Sequence, residues 1–252
     1  MNLDISIAPQ VIFYIGSFPV TNSFFWMIIL TLTIIIFTLI LRYSFKMVPG
    51  RVQSLVEILL ESGYDFVKSV IGTDEKARKI FPLVMTMFIF TLTANLFTYI
   101  PGQAAVVLNT TDGPVALFRA VMADYGMVFV MTMITVILVQ IIAIMMHGPF
   151  GYIGKFINFK SPLSFVLGLM DIIGELAKVV SLSFRLFGNV FAGEVLGSVM
   201  LFLAPFVMPL PFMLLGLLSA VVQAFVFATL TLVFVMLASE IEEDTLVEQA
   251  SM

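Results

Sequence analysis

The sequence predicts an all-α polytopic membrane protein. Hydrophobic residues make up 61% of the chain and charged residues 11%, against about 45–50% and 25% in soluble domains. So few charges cannot cover that apolar surface in water, and the bilayer must be the solvent. Five stretches are long enough for the about 20 helical residues that a crossing needs. We therefore expect five transmembrane helices plus one membrane-surface amphipathic helix in a single membrane domain, residues 1–252.

The composition also excludes several kinds of site. There is no cysteine, so disulfides, thiolate nucleophiles and cysteine metal sites are ruled out. The one histidine, His147, rules out a histidine cluster. A net charge of −4 provides no basic footprint for nucleic acid, and no Gly-rich phosphate loop of the G-x-x-x-x-G-K-[ST] type occurs. The sequence predicts no cofactor, no metal site and no nucleotide site in this chain.

The N-terminal third contains the first span and the amphipathic helix. Residues 1–23 are predicted to be an external segment; they lack the basic region of a cleaved signal, so the span that follows, 24–45, is predicted to be retained. Trp26 and Tyr43 stand near the ends of this span, where interfacial anchors belong. Residues 51–71 place apolar side chains at helical spacing and charges at other positions. This pattern predicts a helix lying on the membrane surface or against partner helices.

The other four spans follow from apolar runs and their stop signals. The second span stops at Pro101, the third stops at Gly148-Pro149, and the fourth begins at Ser161-Pro162, an N-cap followed by proline at the first helical position. The predicted elements are 81–100, 121–146, 161–205 and 211–239, with a cytoplasmic acidic tail at 240–252. As a straight helix, 161–205 would be about 67 Å long, against about 30 Å of hydrocarbon. The last two spans are therefore predicted to form a long, steeply tilted hairpin through the turn at 205–211.

Basic residues in the connections predict the orientation. They concentrate between the first two spans and recur between the third and fourth, whereas the connection 101–120 has only Arg119. The positive-inside rule then places the N-terminus outside and the C-terminus in the cytoplasm. The residues that carry this inference are Arg42, Lys46, Arg51, Lys68, Lys76, Arg78, Lys79, Lys155 and Lys160.

The fourth span carries five ionisable residues, and these predict a functional site. Each costs several kcal/mol at membrane depth unless it faces a partner or water. At about 100° per residue, one sector of the helix contains Asp171, Glu175, Lys178, Arg185 and Asn189. Glu194 follows Arg185 by nine residues, which places it on nearly the opposite side and about 13 Å farther along the axis. This geometry favours separate aqueous environments over one binding pocket.

Simpler structural roles stand beside these functional ones. Asp171, Glu175 and Lys178 could equally form an internal salt-bridge ladder near the cytoplasmic entrance. Asn189 could cross-link helices, and Gln223 in the fifth span could steady Arg185 or merely join two helices. Arg185 itself is always charged and cannot relay a proton by releasing its own. No carboxylate stands at turn spacing from it, so its partner is expected to come from elsewhere.

These residues resemble a known family. The run Ser181-Leu-Ser-Phe-Arg185-Leu-Phe-Gly-Asn189, then Ala192-Gly193-Glu194 and Gln223-Ala224-Phe225, is similar to subunit a of the F-type rotary ATP synthase. Phe81-Pro82 and Ala94-Asn95-Leu96 with Pro101 extend the likeness. The resemblance covers most of the chain from about residue 80 onward, and the N-terminal third matches mainly in layout.

The resemblance implies a proton-translocating stator subunit with two offset half-channels beside a rotating ring of c subunits. The implied partners also include peripheral stalk b-type subunits and other ATP synthase subunits, in a bacterial inner membrane. Arg185 would be the essential arginine, Glu194 would line the outer half-channel, and Gln223 would pack near the arginine. Asn189 and Ser181 would line aqueous paths, with Asp171, Glu175 and Lys178 on the cytoplasmic side. Some members have a histidine where this chain has Gly216, so water or Glu194 alone is expected to serve that step.

Two other classes of protein remain as alternatives. A self-contained ion channel or secondary transporter would neutralise Arg185 with a carboxylate of this chain and would conduct ions alone. No internal repeat is found, which weakens the transporter hypothesis. A non-catalytic membrane scaffold would use the charged stripe only to hold helices together. Protons are the expected ion, although ring residues decide between protons and sodium.

Overall fold

The computed structural model describes residues 9–99, 106–110, 113–147, 162–204 and 209–250. In these ranges the chain forms α1 (Asn22–Ser44), α2 (Arg51–Ile71), α3 (Asp74–Phe97), α4 (Tyr125–His147), α5 (Pro162–Leu203) and α6 (Pro209–Ala250). All of them except α2 are long and apolar enough to cross a membrane. The predicted fold class, an all-α polytopic membrane protein, is confirmed.

The helices extend beyond their predicted bounds at two places. Helix α3 begins at Asp74 rather than at residue 81, because Asp74 and Glu75 favour the positive end of a helix. They also pair with Arg78 and Lys79 one turn later. Helix α6 continues to Ala250, through most of the segment predicted as a tail. The residues Pro101, Gly148-Pro149, Lys155, Lys160, Ser161 and Pro205 lie outside the described residues.

Two short β-hairpins accompany the helices. Strand β1 (Val11–Ile15) pairs antiparallel with β2 (Phe18–Thr21) across Gly16, whose φ of 64° suits glycine. Strand β3 (Val107–Thr110) pairs antiparallel with β4 (Gly113–Ala116). The sequence pattern does not predict these strands, because four or five residues between apolar helices are too few to establish a period of two.

Polar contacts join the starts of two spans to the end of a strand on the side of the molecule that carries the β-hairpins. The Asn22 side chain donates to the Ala116 carbonyl at 3.2 Å. The Ser23 hydroxyl donates to the Asp124 carboxylate, which also accepts from the Gly126 amide at 2.9 Å. These contacts place the start of α1, the end of β4 and the start of α4 together. By the predicted orientation this is the external end.

Helix α2 packs along the opposite end of α3. Gly72 ends it in the left-handed conformation, with φ of 80°, and Lys68 reaches Asp74 at 2.9 Å. This hydrogen bond with Asp74 raises the pKa of Lys68. Val67 is buried, whereas Val52 and Leu55 are exposed. The helix is amphipathic as expected, and its place on a membrane surface stays a prediction.

Helix α6 is central to the packing, since α3, α4 and α5 all contact it. Two apolar clusters hold these helices together. The first includes Leu30, Ala94, Leu186 and Phe227, and the second includes Val67, Ile80, Leu232 and Val235. Both α5 and α6 have 42 residues, about 63 Å of helix. Because the hydrocarbon layer is about 30 Å thick, these helices must cross it obliquely or extend well beyond it.

Candidate functional site

Arg185 lies on the exposed side of α5. The opposite side of the same turn is anchored, because Leu182 and Leu186 are buried in the first apolar cluster. Ser183 is also buried and donates to the Val179 carbonyl at 2.7 Å. Arg185 is exposed instead, together with Ser181 and Phe184. The backbone that carries the arginine is fixed by core packing while its side chain is left at the surface.

Exposed apolar side chains accompany Arg185 along α5, and the packed helix α6 also exposes a stripe of apolar side chains. We call these side chains together the exposed apolar face. On α5 it consists of Ile173, Leu176, Val180 and Phe184, and on α6 of Leu214, Leu218, Val221, Val222 and Phe225. Two packed helices with unburied leucine, valine and phenylalanine side chains present a surface suited to lipid or to an apolar partner.

Arg185 has no ion pair within the described part of the chain. The salt bridges recorded there are Lys68–Asp74, Arg78–Asp74, Lys79–Glu75 and Lys178–Glu175. The prediction that the chain offers Arg185 no close carboxylate is therefore consistent with the geometry.

Glu175 and Lys178 form a polar cluster about three turns before Arg185. Their charged atoms are 2.7 Å apart, and Gln140 of α4 donates to the second Glu175 oxygen at 2.7 Å. The Lys178 ammonium lies 4.8 Å from the centre of the Phe234 ring. A groove of about 430 Å³ between α4 and α5 reaches Gln140 and Glu175. The expected Glu175–Lys178 pair is present, whereas Asp171 is exposed and joins no salt bridge among the described residues.

Replacing Lys178 by methionine should destabilise the protein more than replacing both members of the pair. The single change leaves a half-buried Glu175 without its cation, whereas Glu175→Gln with Lys178→Met leaves no lone charge. We expect the single variant to lose about 1–2 kcal/mol of stability, reduced from the cost of a fully buried pair because both groups are partly exposed. Thermal denaturation in detergent measures the difference. Equal loss in both variants would contradict it.

Glu194 lines a second cavity. This cavity lies beyond Arg185, toward the side of the molecule that carries the β-hairpins. The cavity measures about 270 Å³, and its polar lining comes from Thr98, Tyr99, Glu194 and Ser198. Tyr99 and Arg119 both lie close enough to Glu194 to interact with it electrostatically. At 1.5 Å per residue, Glu194 is about 13 Å from Arg185 along α5. This separation follows from α5 being one continuous helix from Pro162 to Leu203.

The predicted amide residues turn inward, away from the exposed apolar face. Asn189 accepts from the Ser219 hydroxyl at 2.7 Å, which links α5 to α6. Gln223 is buried, and its side-chain nitrogen has no hydrogen-bond partner in the described ranges. Asn95 of α3 is buried beside α6 and donates to the Ala220 carbonyl at 3.2 Å. A direct Gln223–Arg185 hydrogen bond is absent from these contacts, so the steadying role of Gln223 stays a prediction.

Three further residues contribute to these sites although they were not predicted as site residues: Gln140, Arg119 and Tyr99. Gln140 could have been found, since it is a strongly polar side chain in the middle of an otherwise apolar span. Arg119 was used only to assign orientation. Tyr99 resembles an interfacial aromatic at the end of a span, and nothing local in the sequence points to a cavity.

Comparison with known proteins places these features in a family. Residues 24–236 match the family described as ATP synthase A chain. The chain belongs to the ATP synthase subunit a family. It is 36% identical to ATP synthase subunit a of Moorella thermoacetica, over 91% of this chain and 95% of that protein. It is 34% identical to ATP synthase subunit a of Geobacter sulfurreducens, over 84% of each chain. The matched region contains every predicted site residue, from Asp171 to Gln223.

Proposed function

We propose that this subunit a homologue is the proton-translocating stator subunit of a bacterial ATP synthase. One observation carries the proposal: Arg185 is exposed and has no ion pair among the described residues, and it lies between two separate polar sites on the same helix. Glu175 precedes it by about 15 Å and Glu194 follows it by about 13 Å along the axis. An isolated fixed cation between two sites suits a charge that acts on a partner subunit.

The two polar sites would serve as offset half-channels. The Glu194 cavity lies on the side of the β-hairpins, which the positive-inside rule predicts to be external. The groove at Gln140 and Glu175 lies toward the cytoplasmic side. Three buried polar atoms have no protein partner in the described ranges, Gln140 Oε1, Gln223 Nε2 and Asn95 Oδ1, and bound water would satisfy them. Asn189 and Ser181 would line the half-channels.

The electrostatics of Arg185 would couple proton flow to rotation. A carboxylate of a ring subunit facing lipid is kept neutral because desolvation raises its pKa, and beside Arg185 its charged form is favoured. Each carboxyl group must therefore release a proton to one half-channel and take one from the other as it passes. The membrane potential supplies about 2.3 kcal/mol per charge per 100 mV. Arg185 cannot be deprotonated, so it also blocks a direct proton path between the channels.

The implied partners are a ring of c subunits, peripheral stalk b-type subunits, other ATP synthase subunits and membrane lipid. The exposed apolar face would contact the ring. Bacterial relatives support an inner-membrane location, with the N-terminus outside and the C-terminus in the cytoplasm. A self-contained channel or transporter is less favoured, since it needs a carboxylate of this chain beside Arg185. A scaffold would not need an exposed arginine on an apolar face.

Cross-linking tests whether the exposed apolar face meets the ring. The chain has no cysteine, so a single introduced cysteine is a unique handle. We expect Leu218→Cys and Val222→Cys, on α6, to cross-link under mild oxidation to a ring subunit carrying one cysteine in its outer helix. Ile36→Cys on α1 is the matched control, because Ile36 is 55% exposed and Leu218 is 62% exposed.

Each outcome of this experiment decides the contact. Ring adducts at 218 and 222 but not at 36 support the proposal. Adducts at all three positions, or at none in an assembled complex, would exclude the exposed apolar face as the contact surface.

A further inference from the structure

The Tyr99 side chain lies directly against Gly216 of α6. A Cβ placed on Gly216 would be 3.0 Å from both Cε1 and Cζ of Tyr99, and closer still to the hydroxyl. Real Cβ atoms do not approach ring atoms so closely, so a side chain at 216 would displace the phenol. Gly216 therefore provides the space that the Tyr99 ring occupies.

The Tyr99 hydroxyl also reaches α5, beside Glu194. It lies 3.6 Å from the position of a Cβ on Gly193, the residue before Glu194. Tyr99 and Glu194 line the same cavity. The phenol thus extends from the end of α3 across α6 and places its polar end between the two long helices.

The groups around Glu194 leave few sources of a hydrogen bond within the described ranges. From α6 the cavity receives Pro209 and Met213, which carry no side-chain donor, and Gly216 stands beside it. On α5 itself the Ser198 hydroxyl donates to the Glu194 carbonyl at 2.8 Å and not to the carboxylate. Arg119 acts on Glu194 by its charge and its guanidinium also reaches the Ala123 carbonyl at 3.5 Å. Tyr99 and Thr98 supply the cavity hydroxyls from the end of α3.

We infer that Tyr99 is a positioning residue of the external proton path, whose phenol hydroxyl supplies a hydrogen-bond donor to the cavity that Glu194 lines, from the space that Gly216 leaves open. This inference rests on the proposed function, in which Glu194 accepts and releases protons. The phenol keeps its own proton, because an ordinary tyrosine titrates near pH 10. Protons pass through Glu194. The Tyr99 hydroxyl forms no direct hydrogen bond with the carboxylate in the structure, and it stabilises the charged form through water in the cavity that both groups line.

Removing the hydroxyl alone tests the inference. Tyr99→Phe keeps the ring against Gly216 and deletes only the donor. In proteoliposomes with the whole ATP synthase, we expect the rate of ATP synthesis to fall about three- to tenfold at neutral external pH, which corresponds to the loss of one hydrogen bond of ordinary strength. The midpoint of the external-pH profile should move to higher pH, since the carboxylate loses a donor to its charged form. Tyr125→Phe, a matched change on α4 outside the cavity, should retain the original profile.

The space at Gly216 offers an independent variant. Gly216→Ala should displace the phenol and shift the pH profile in the same direction as Tyr99→Phe. Gly174→Ala on α5 is its control, because a Cβ there meets nothing within 4 Å. In the double variant Tyr99→Phe/Gly216→Ala the two shifts should not add, since both remove the same hydrogen bond. A full additive shift would contradict an action of Gly216 through Tyr99.

Glu194→Gln separates this inference from the proposed function. If Glu194→Gln retains full proton-coupled synthesis, the external path proposed here is wrong, and the inference fails with it. If Glu194→Gln abolishes synthesis while Tyr99→Phe keeps the pH profile of Tyr125→Phe, the stator function stands and the role of Tyr99 is refuted. Loss in Glu194→Gln with a shifted profile in Tyr99→Phe supports both.

Discussion

Replacing Arg185 by alanine is expected to abolish proton-driven ATP synthesis, with at least a hundredfold loss in reconstituted complex. Without the fixed cation, a ring carboxyl group has no reason to ionise at the stator, because its lipid-facing form is neutral. The barrier between the half-channels is lost as well, so passive proton flow through the membrane sector should increase. ATP synthesis under an imposed proton gradient and proton leak without nucleotide measure the two effects.

Two further variants make the Arg185 test specific. Arg185→Lys keeps a charge but loses the planar fork of donors, so we expect partial activity at best. Arg51→Ala removes an exposed arginine on α2 and should leave synthesis unchanged. Wild-type synthesis in Arg185→Ala would refute the stator function. A loss that is confined to failed assembly of the complex would favour the scaffold.

Replacing Phe227 by alanine should cause the largest loss of stability of any single core change. Phe227 is fully buried, in the cluster that joins α1, α3, α5 and α6. Truncation leaves a cavity among side chains that cannot collapse, at a cost of about 3 kcal/mol. This loss of stability lies at the lower end of the range for phenylalanine. When the helices separate within the membrane, lipid rather than water surrounds the exposed helix. Thermal denaturation of the purified complex in detergent measures it.

Phe202→Ala is the matched control for this prediction. Phe202 is exposed on α5, so its removal should change stability by less than about 0.5 kcal/mol. Similar losses in both variants would mean that the first apolar cluster does not hold the spans together.

The membrane spans could be predicted because each one is encoded locally. Hydropathy over about 20 residues determines a crossing, and α2 was predicted with its observed bounds, Arg51–Ile71. The start of α3 at Asp74 was missed because charged residues before the apolar run lowered its apparent length. The hairpins were missed because their strands are stabilised by contacts such as Asn22 with Ala116, between distant parts of the chain.

The residues of the candidate site differ in the same way: local sequence was enough to predict some of them, and others depend on contacts between distant parts of the chain. Arg185 and Glu194 are expensive charges in apolar helices, and the periodicity of one helix is enough to place them on different sides. Gln140 could have been predicted by the same reasoning, because it is a polar residue within the apolar helix α4. Tyr99 and Gly216 could not be paired from the sequence, because an aromatic residue and a glycine on different helices carry no mark of mutual fit. Their relation depends on how closely α3 approaches α6, which tertiary packing decides.

The chemistry of the exposed apolar face affects how easily a partner can move across it. Leu214, Leu218 and Val221 offer neither donors nor acceptors, so a passing helix forms no hydrogen bond there that must later be broken. Dispersion contacts are individually worth only about 0.1–0.2 kcal/mol per atom pair, and those lost behind the moving surface are replaced by those gained ahead. The interaction energy between this face and a partner helix then varies little as the partner moves across it, so little resistance opposes that movement. In the proposed function, Arg185 would be the one strong electrostatic contact on an otherwise apolar surface.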